Sequence, residues 1–206
     1  MIRASFPLPL LLAATLLAPT PAGAREYRID RNHSNLGFAA PILGGLSKVR
    51  GKFSDFTVQL NFDAADPAAS SLRAVIKPAS IDTGIADRDE HLRSPDFFDV
   101  AKFPEAVFES TRIEKAGAGF VAHGRLTIRG VTRELDLPFV LTGRNETAGE
   151  KGRMEVLGFS ATARIDRRDY GMVWKHSVDP LFVGDEIDIE ITIITRATPL
   201  APPAGR

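Results

Sequence analysis

The 206-residue sequence contains no cysteine. Disulfide bonds, thiolate metal ligands and cysteine nucleophiles are therefore excluded. Tryptophan occurs once and tyrosine twice, against 13 phenylalanines, so most aromatic side chains carry no polar atom. Since no disulfide can hold the fold, stability must come from an apolar core, and the chain is long enough to form one.

The chain also lacks an excess of either charge, with 26 basic and 26 acidic residues. A neutral, mixed surface provides no basic field for nucleic acid, so we expect no nucleic-acid partner. The P-loop, the dinucleotide fingerprint and the nucleophile elbow are all missing, and the four histidines show no zinc-site spacing. We expect no catalytic residues, no metal site and no resident cofactor.

The N-terminus has the pattern of a bacterial export signal. Arg3 is the only charge before Arg25, and Phe6 to Ala18 is mostly apolar. Ala22-Gly23-Ala24 then supplies a small-x-small cleavage pattern. A membrane anchor would need roughly 20 apolar residues, and this run is shorter and interrupted by prolines. The sequence predicts a signal peptide at 1–24, a periplasmic domain at 25–198 with no transmembrane segment, and a disordered Pro/Ala-rich tail at 199–206.

Apolar residues alternate with polar ones along most of the mature chain, as in strands with one face toward a core. The alternation is strict at 56–62, 120–129 and 187–193, and interrupted once, by Arg133, at 131–141. Further strands are predicted near 26–39, 47–55, 72–81, 106–115 and 154–166. Turns are predicted at 129–131, and polar loops at 63–71 and 143–152. Eight or nine short antiparallel strands indicate an all-β sandwich or barrel.

One segment breaks this pattern. Residues 84–93 read as a short polar helix that ends at Ser94-Pro95, and 96–100 suggest a second helical turn. Such a helix could cover the mouth of a barrel. The interior of an eight-stranded barrel is either filled or able to hold a small ligand, and the pattern alone favours neither. Small residues on an inward face, Ala122 and Gly124, support a cavity.

Two polar clusters have open interpretations. Asp87, Asp89, Glu90 and His91 are either a solvated helix face, a metal site or a contact for a polar head group. Arg164, Arg167 and Arg168 are either surface ion pairs or a head-group contact at the barrel mouth.

Several segments in order resemble the YceI-like family of periplasmic, lipocalin-like proteins, over nearly the whole mature chain. They are Tyr27-Arg28-Ile29-Asp30, Val49-Arg50-Gly51-Lys52-Phe53, Ala79-Ser80-Ile81-Asp82-Thr83, Asp89 to Val100, Phe103-Pro104, Gly124 to Thr132, and Ile165-Asp166-Arg167 with Tyr170-Gly171. The resemblance implies an eight-stranded antiparallel lipocalin-like barrel with a short helical insertion. It also implies a homodimer and a bound polyisoprenoid, isoprenoid quinone or other long amphipathic lipid. It implies no catalytic residues.

The predicted ligand contacts are inward aromatic residues near the helical insertion, with two polar residues for the head group. They are Phe38, Phe53, His91, Phe97, Phe98, Phe108, Phe120, Phe159, Arg167 and Trp174. Three hypotheses follow: a lipid carrier or sequestering protein, a stress-response barrel with a filled core, or an enzyme acting on a lipid head group. The enzyme would use His91 with Asp87 or Asp89 as acid and base.

Overall fold

The structure, a computed structural model, describes residues 24–149, 152–179 and 181–197. The predicted signal peptide, Ala24 apart, and the predicted tail lie outside the described residues. The strands are β1 (Arg25–Ile29), β2 (Asn35–Ile42), β3 (Ser47–Phe53), β4 (Phe56–Phe62), β5 (Ser71–Ile76), β6 (Ile81–Asp82), β7 (Ala106–Ala116), β8 (Gly119–Ile128), β9 (Val131–Gly149), β10 (Gly152–Asp166) and β11 (Glu186–Ala197). The helix is α1 (Ala86–Arg93), and 3-10 turns lie at Arg31–His33, Leu43–Gly45, Pro67–Ala69, Pro78–Ser80 and Arg167–Tyr170.

These segments close into an antiparallel barrel of eight bent strands within the described residues. β1 and β2 both pair with β11, on either side of a 3-10 turn, and so act as one strand. β3 and β4 form the second strand, and β5 and β6 the third. β7 to β11 complete a meander, and the pairing of β11 with β1 closes it. The predicted eight-stranded antiparallel barrel is confirmed, with the bends that a small barrel needs.

The inward face follows the period-two pattern of the sequence. On β8, Phe120, Ala122, Leu126 and Ile128 are buried, while Arg125 is exposed. The predicted tight turn at Arg129-Gly130 is confirmed, because both residues have positive φ, 51° and 73°. Two consecutive positive φ values match the right-handed twist of a two-residue hairpin.

The prediction of a loop at 143–152 is wrong, because these residues extend two paired strands. β9 continues to Gly149 and β10 begins at Gly152, paired from Gly149↔Gly152 to Arg144↔Leu157. Polar residues on both faces suggested a loop, but this ribbon satisfies its backbone by cross-strand hydrogen bonds. Most side chains of this ribbon are exposed to water. The ribbon therefore does not show the alternation of apolar and polar residues that marks a strand with one buried face.

The helical insertion is confirmed as α1, which has acidic Asp87 and Asp89 in its first turn and basic His91 and Arg93 in its last. Residues 94–100 form hydrogen-bonded turns, not a second helix. Among the described residues, no helix has the length and apolar content needed to cross a membrane.

Because neighbouring strands run in opposite directions, the connections between them lie at the two ends of the barrel. One end carries the β2–β3 hairpin, the α1 insertion, the β8–β9 turn and the long β10–β11 connection. The opposite end carries the 63–70 loop, the β7–β8 turn and the β9–β10 ribbon. We call them the helix end and the ribbon end.

Candidate ligand-binding cavity

The barrel encloses a cavity of about 250 Å³. Thirty-two of the described residues line it, and Arg167 is the only one that is not apolar. β11 contributes a continuous row of four isoleucines, Ile187, Ile189, Ile191 and Ile193, which matches the predicted inward alternation. A cavity of this kind provides dispersion contacts and excludes water, and its walls offer almost nothing to a polar ligand.

Four phenylalanine rings close the cavity toward the ribbon end. Phe62 on β4 lies 5.2 Å from Phe120 on β8 and 5.3 Å from Phe159 on β10, measured between ring centroids. Phe139 on β9 lies 5.3 Å from Phe120 and 6.0 Å from Phe159. Phe139 and Phe159 line the cavity, whereas Phe62 and Phe120 are buried behind them. We call this cluster the phenylalanine floor.

A buried polar group lies near the phenylalanine floor on the side of the ribbon end. The hydroxyl of Tyr27 donates a 2.7 Å hydrogen bond to the carboxylate of Glu155, which is 4 % exposed. Arg25 and Arg144 form ion pairs with the same carboxylate. Burial, together with the hydrogen bond to Glu155, raises the pKa of the Tyr27 hydroxyl. The carboxylate thus has partners for both oxygens, as a buried charge requires.

The α1 insertion covers part of the mouth at the helix end. Leu92, Phe97 and Phe98 from this insertion line the cavity. Arg129, in the β8–β9 turn, donates hydrogen bonds from Nη1 to the carbonyl oxygens of Pro95 (2.8 Å) and Phe97. The turn therefore holds the insertion in place across the top of the barrel.

Arg93 and Asp89 fasten the helix itself to the barrel rim. Arg93 donates to the carbonyl oxygens of Ala79 and Ile81, each at 2.8 Å. The buried carboxylate of Asp89 accepts from the backbone N–H of Thr83 at 2.9 Å and from its hydroxyl. Asp89 thus closes the loop that enters the helix.

The β10–β11 connection covers another part of the mouth with Met172 and Val183, and Arg167 holds its two ends together. Arg167 is 3 % exposed. Its guanidinium donates to the carbonyl oxygens of Met172 (2.6 Å) and Gly184 (3.0 Å) and to the carboxylate of Asp185 (2.8 Å). Burial lowers the pKa of Arg167, and the charge of Asp185 opposes that shift.

The two covering segments meet through aromatic contacts. The Phe97 ring lies 5.5 Å from that of Trp174 in the β10–β11 connection. His91 lies edge-on to both, at 5.1 Å from Phe97 and 5.0 Å from Trp174. Since only Phe97 of the three lines the cavity, His91 and Trp174 support it from behind.

Exposed apolar side chains are concentrated at the helix end of the barrel. Seven of the eight large apolar residues that the described chain exposes lie at the helix end, namely Leu43, Leu46, Ile85, Val173, Val178, Leu181 and Phe182. Leu43 and Phe182 are joined by a backbone hydrogen bond, as are Gly44 and Leu181. Among the described residues, exposed large apolar side chains are therefore concentrated at the end of the barrel where the cavity has its mouth.

Seven of the ten predicted contact residues line the cavity: Phe38, Phe53, Phe97, Phe98, Phe108, Phe159 and Arg167. Phe120 lies in the floor behind the lining, and His91 and Trp174 lie behind Phe97. The structure therefore brings the set together around one space, while contact with a ligand stays a prediction for each.

Ala122 and Gly124 do not leave open space as expected. A Cβ placed on Gly124 would lie 2.7 Å from the Phe108 ring and 2.5 Å from the carbonyl oxygen of Glu109. Phe108 therefore fills the volume that the glycine leaves, and neither small residue lines the cavity. The open space instead adjoins Ala40, Ala74, Ala106 and Ala161 on other strands.

None of the three residues of the enzyme hypothesis, His91, Asp87 and Asp89, lines the cavity, and two of them are bound to other side chains. His91 Nε2 lies 2.9 Å from a carboxylate oxygen of Asp96, and Asp89 binds Thr83. Among the described residues, no cluster of His, Asp and Glu has the geometry of a metal site. Arg164 pairs with Asp188, and Arg168 pairs with Asp166, on the barrel surface. Of the three arginines in the second cluster, only Arg167 reaches the cavity.

Several residues of the site were not singled out from the sequence. Phe56 and Phe62 lie on the inward face of β4, and their alternation could have assigned them. The role of Arg129 in joining the β8–β9 turn to the helical insertion has no signal in the sequence, because its partners are backbone carbonyl groups more than 30 residues away.

The fold and the cavity define a closed antiparallel barrel with an apolar interior, built like a lipocalin. The chain belongs to the YceI-like family, whose domain matches residues 27–195. It is 35% identical over 184 residues to a UPF0312 protein of Shewanella baltica strain OS185, covering 88% of this chain and 93% of the relative. It is 38% identical over 165 residues to a UPF0312 protein of Yersinia pestis strain Pestoides F, covering 79% and 84%.

Solved structures share the fold. The Campylobacter jejuni YCEI protein superposes with a TM-score of 0.64 at 31% identity, covering 74% of this chain and 87% of that one. Burkholderia cenocepacia BcnA gives 0.68 at 24% identity, with coverage of 81% and 98%. A polyisoprenoid binding domain from Saccharophagus degradans gives 0.58 at 15% identity, with coverage of 84% and 99%.

Proposed function

We propose that this protein binds a long amphipathic lipid, of the polyisoprenoid or isoprenoid quinone type, inside the barrel. The observation that carries the proposal is the apolar cavity, closed at the ribbon end by the phenylalanine floor. A hydrocarbon chain gains by leaving water for such a space, whereas a polar ligand would lose its hydrogen bonds there. The S. degradans domain, whose name states polyisoprenoid binding, shares only the fold at 15% identity, so the proposal rests on the cavity.

The geometry also supports one orientation for the proposed ligand. Because the floor closes one end, the apolar tail enters from the helix end and the head group stays at the mouth. The polar side chains at the helix end include Arg129, His91 and Lys175, and exposed apolar residues lie at the same end. A head group there can contact polar atoms and water while its tail remains buried.

Binding without catalysis, in the periplasm, is part of the proposal. None of His91, Asp87 and Asp89 lines the cavity, so the acid–base pair of the enzyme hypothesis would not face a ligand held there. The signal pattern at 1–24 supports export. Transport, storage and sequestration all fit such a protein. The homodimer implied by the family resemblance stays a prediction, which sedimentation of the purified protein tests.

The test is native mass spectrometry of protein purified from the periplasm, followed by solvent extraction. We expect a copurified lipid of discrete mass, and a protein whose mass corresponds to a chain that begins at Arg25. A protein found only in the cytoplasm, or one that never retains a lipid and takes up no added prenol, contradicts the proposal.

A matched pair of variants locates the lipid. Ala161 lines the cavity, whereas its neighbour Thr162 is exposed on the outer face of the same strand. Ala161→Phe fills the cavity and should abolish lipid retention, whereas Thr162→Phe places the same ring outside and should not. Equal retention by both variants would mean that the lipid binds somewhere other than the cavity.

A further inference from the structure

We infer that the phenylalanine floor determines the length of hydrocarbon chain that the barrel encloses, with Phe62 as the residue that sets the limit. This inference rests on the proposed function and specifies its ligand: chains up to the depth of the cavity are buried whole, and longer ones leave their excess at the mouth.

The first support is that rings from opposite walls meet. β4 and β8 are separated around the barrel by β5 and β7 on one side, and by β1, β11, β10 and β9 on the other. Phe62 nevertheless lies within 5.2–6.1 Å of Phe120, Phe139 and Phe159, measured between ring centroids. Since these contacts span the lumen, they block it, and the cavity occupies only the part toward the helix end.

The second support is the chemistry near the floor on the ribbon side. Phe62 pairs across strands with Arg25, whose guanidinium reaches Glu155. The Glu155 carboxylate also accepts from Tyr27. A chain pushed past the rings would approach this buried carboxylate and disturb its hydrogen bonds. The apolar path therefore ends at the floor.

The third support is that Phe62 is a hub of the cluster but does not line the cavity. It contacts all three other rings and is 3 % exposed. Removing its ring opens space directly behind Phe139 and Phe159, so the cavity becomes deeper. Phe56, on the same strand near the helix end, is buried and lines the cavity. Removing the Phe56 ring widens the cavity without deepening it.

The affinity for chains of increasing length tests the inference. Each additional buried methylene should tighten binding by about fourfold until the chain reaches the floor, after which added carbons have no effect. We would measure dissociation constants for linear primary alcohols and all-trans prenols, by displacement of a fluorescent apolar probe. The wild-type series should reach a plateau. In Phe62→Ala the plateau should move to a longer chain, and in Phe56→Ala its position should not change.

A wild-type series without a plateau overturns the inference, and so does a plateau that Phe62→Ala leaves in place while the protein still binds chains. If Phe62→Ala does not fold, Phe62→Leu should give a smaller shift in the same direction, and no shift again overturns it. If the wild-type protein binds no chain of any length, the proposed function itself fails, and the inference fails with it.

Discussion

The guanidinium of Arg167 and the carboxylate of Asp185 lie 2.8 Å apart, at the two ends of the β10–β11 connection. The same guanidinium donates to the carbonyl oxygens of Met172 and Gly184. One side chain thus fastens both ends of a long connection over the cavity mouth. Most of its donors are occupied within the protein, so its main role is to shape the mouth.

Replacing Arg167 should therefore lower the stability of the fold more than it lowers the affinity for a ligand. In Arg167→Met the carbonyl oxygens lose their donors and Asp185 loses its partner. Since Asp185 is partly exposed, we expect a loss of about 2–3 kcal/mol in the free energy of unfolding, measured with urea. Arg50→Gln, at an exposed ion pair with Glu190, is the control and should cost much less. Equal losses of stability in the two variants would show that the burial of Arg167 does not make its hydrogen bonds more stabilising than an exposed ion pair.

The contact between Phe97 and Trp174 should control how fast a ligand leaves. Trp174 joins the β10–β11 connection to the α1 insertion through Phe97 and His91. An aromatic pair contributes about 0.5–1.5 kcal/mol, so Trp174→Ala should speed dissociation of a bound lipid by up to about tenfold. Stopped-flow transfer of a fluorescent lipid to vesicles measures the rate.

The control for this variant is Val173→Ala, since Val173 is 64% exposed and adjacent in sequence. It should leave the dissociation rate unchanged. Trp174 is also the only tryptophan, so in the wild-type protein its fluorescence reports on the mouth without a label. An unchanged rate in Trp174→Ala would mean that the two segments do not separate when lipid leaves.

The packing of Phe108 against Gly124 predicts a large effect for a small substitution. A Cβ at Gly124 would meet the carbonyl oxygen of Glu109 and the Phe108 ring, both under 3.0 Å. Gly124→Ala should therefore lose about 1–3 kcal/mol of stability, as overpacked cores do. Gly143→Ala has nothing within 4 Å of the new methyl group and should be neutral. Thermal unfolding of the two variants compares them, and equal melting temperatures would contradict this account.

The sequence predicts the barrel well because alternation is a local signal. Each inward residue of β8 and β11 can be assigned from its neighbours along the strand, and the resemblance to a family adds the strand count. The turn at Arg129-Gly130 is likewise local. The ribbon at 143–152 was missed because its polar composition is typical of a loop, while its hydrogen bonds depend on the partner strand.

The site is harder to predict, because its shape depends on contacts between distant strands. Whether Phe120 lines the cavity or closes it depends on Phe62, which lies on the opposite wall. Whether Gly124 leaves space depends on the rotamer of Phe108 on the next strand. Neither fact can be read from one strand, and so the sequence leaves the choice between cavity and filled core open.

His123 provides a prediction about pH. Its ring lies on the outer face of the barrel, with Nδ1 2.6 Å from Asp136 and Nε2 3.0 Å from Glu114. The hydrogen bonds to Glu114 and then Asp136 raise the pKa of His123 above its ordinary value of 6.5. Because the folded pKa lies above the unfolded one, the imidazolium stabilises the folded state fully below about pH 6.5. This contribution is lost as the pH rises through the folded pKa.

Two measurements check this prediction. Titration followed by NMR should give a pKa above 6.5 for His123 in the wild-type protein and a lower one in Glu114→Gln, which removes its first partner. Denaturation at a series of pH values should show a decline in stability above pH 6.5 that His123→Gln reduces. A pKa for His123 at or below 6.5, or one that Glu114→Gln leaves unchanged, would mean that the carboxylates do not stabilise the charged ring in solution.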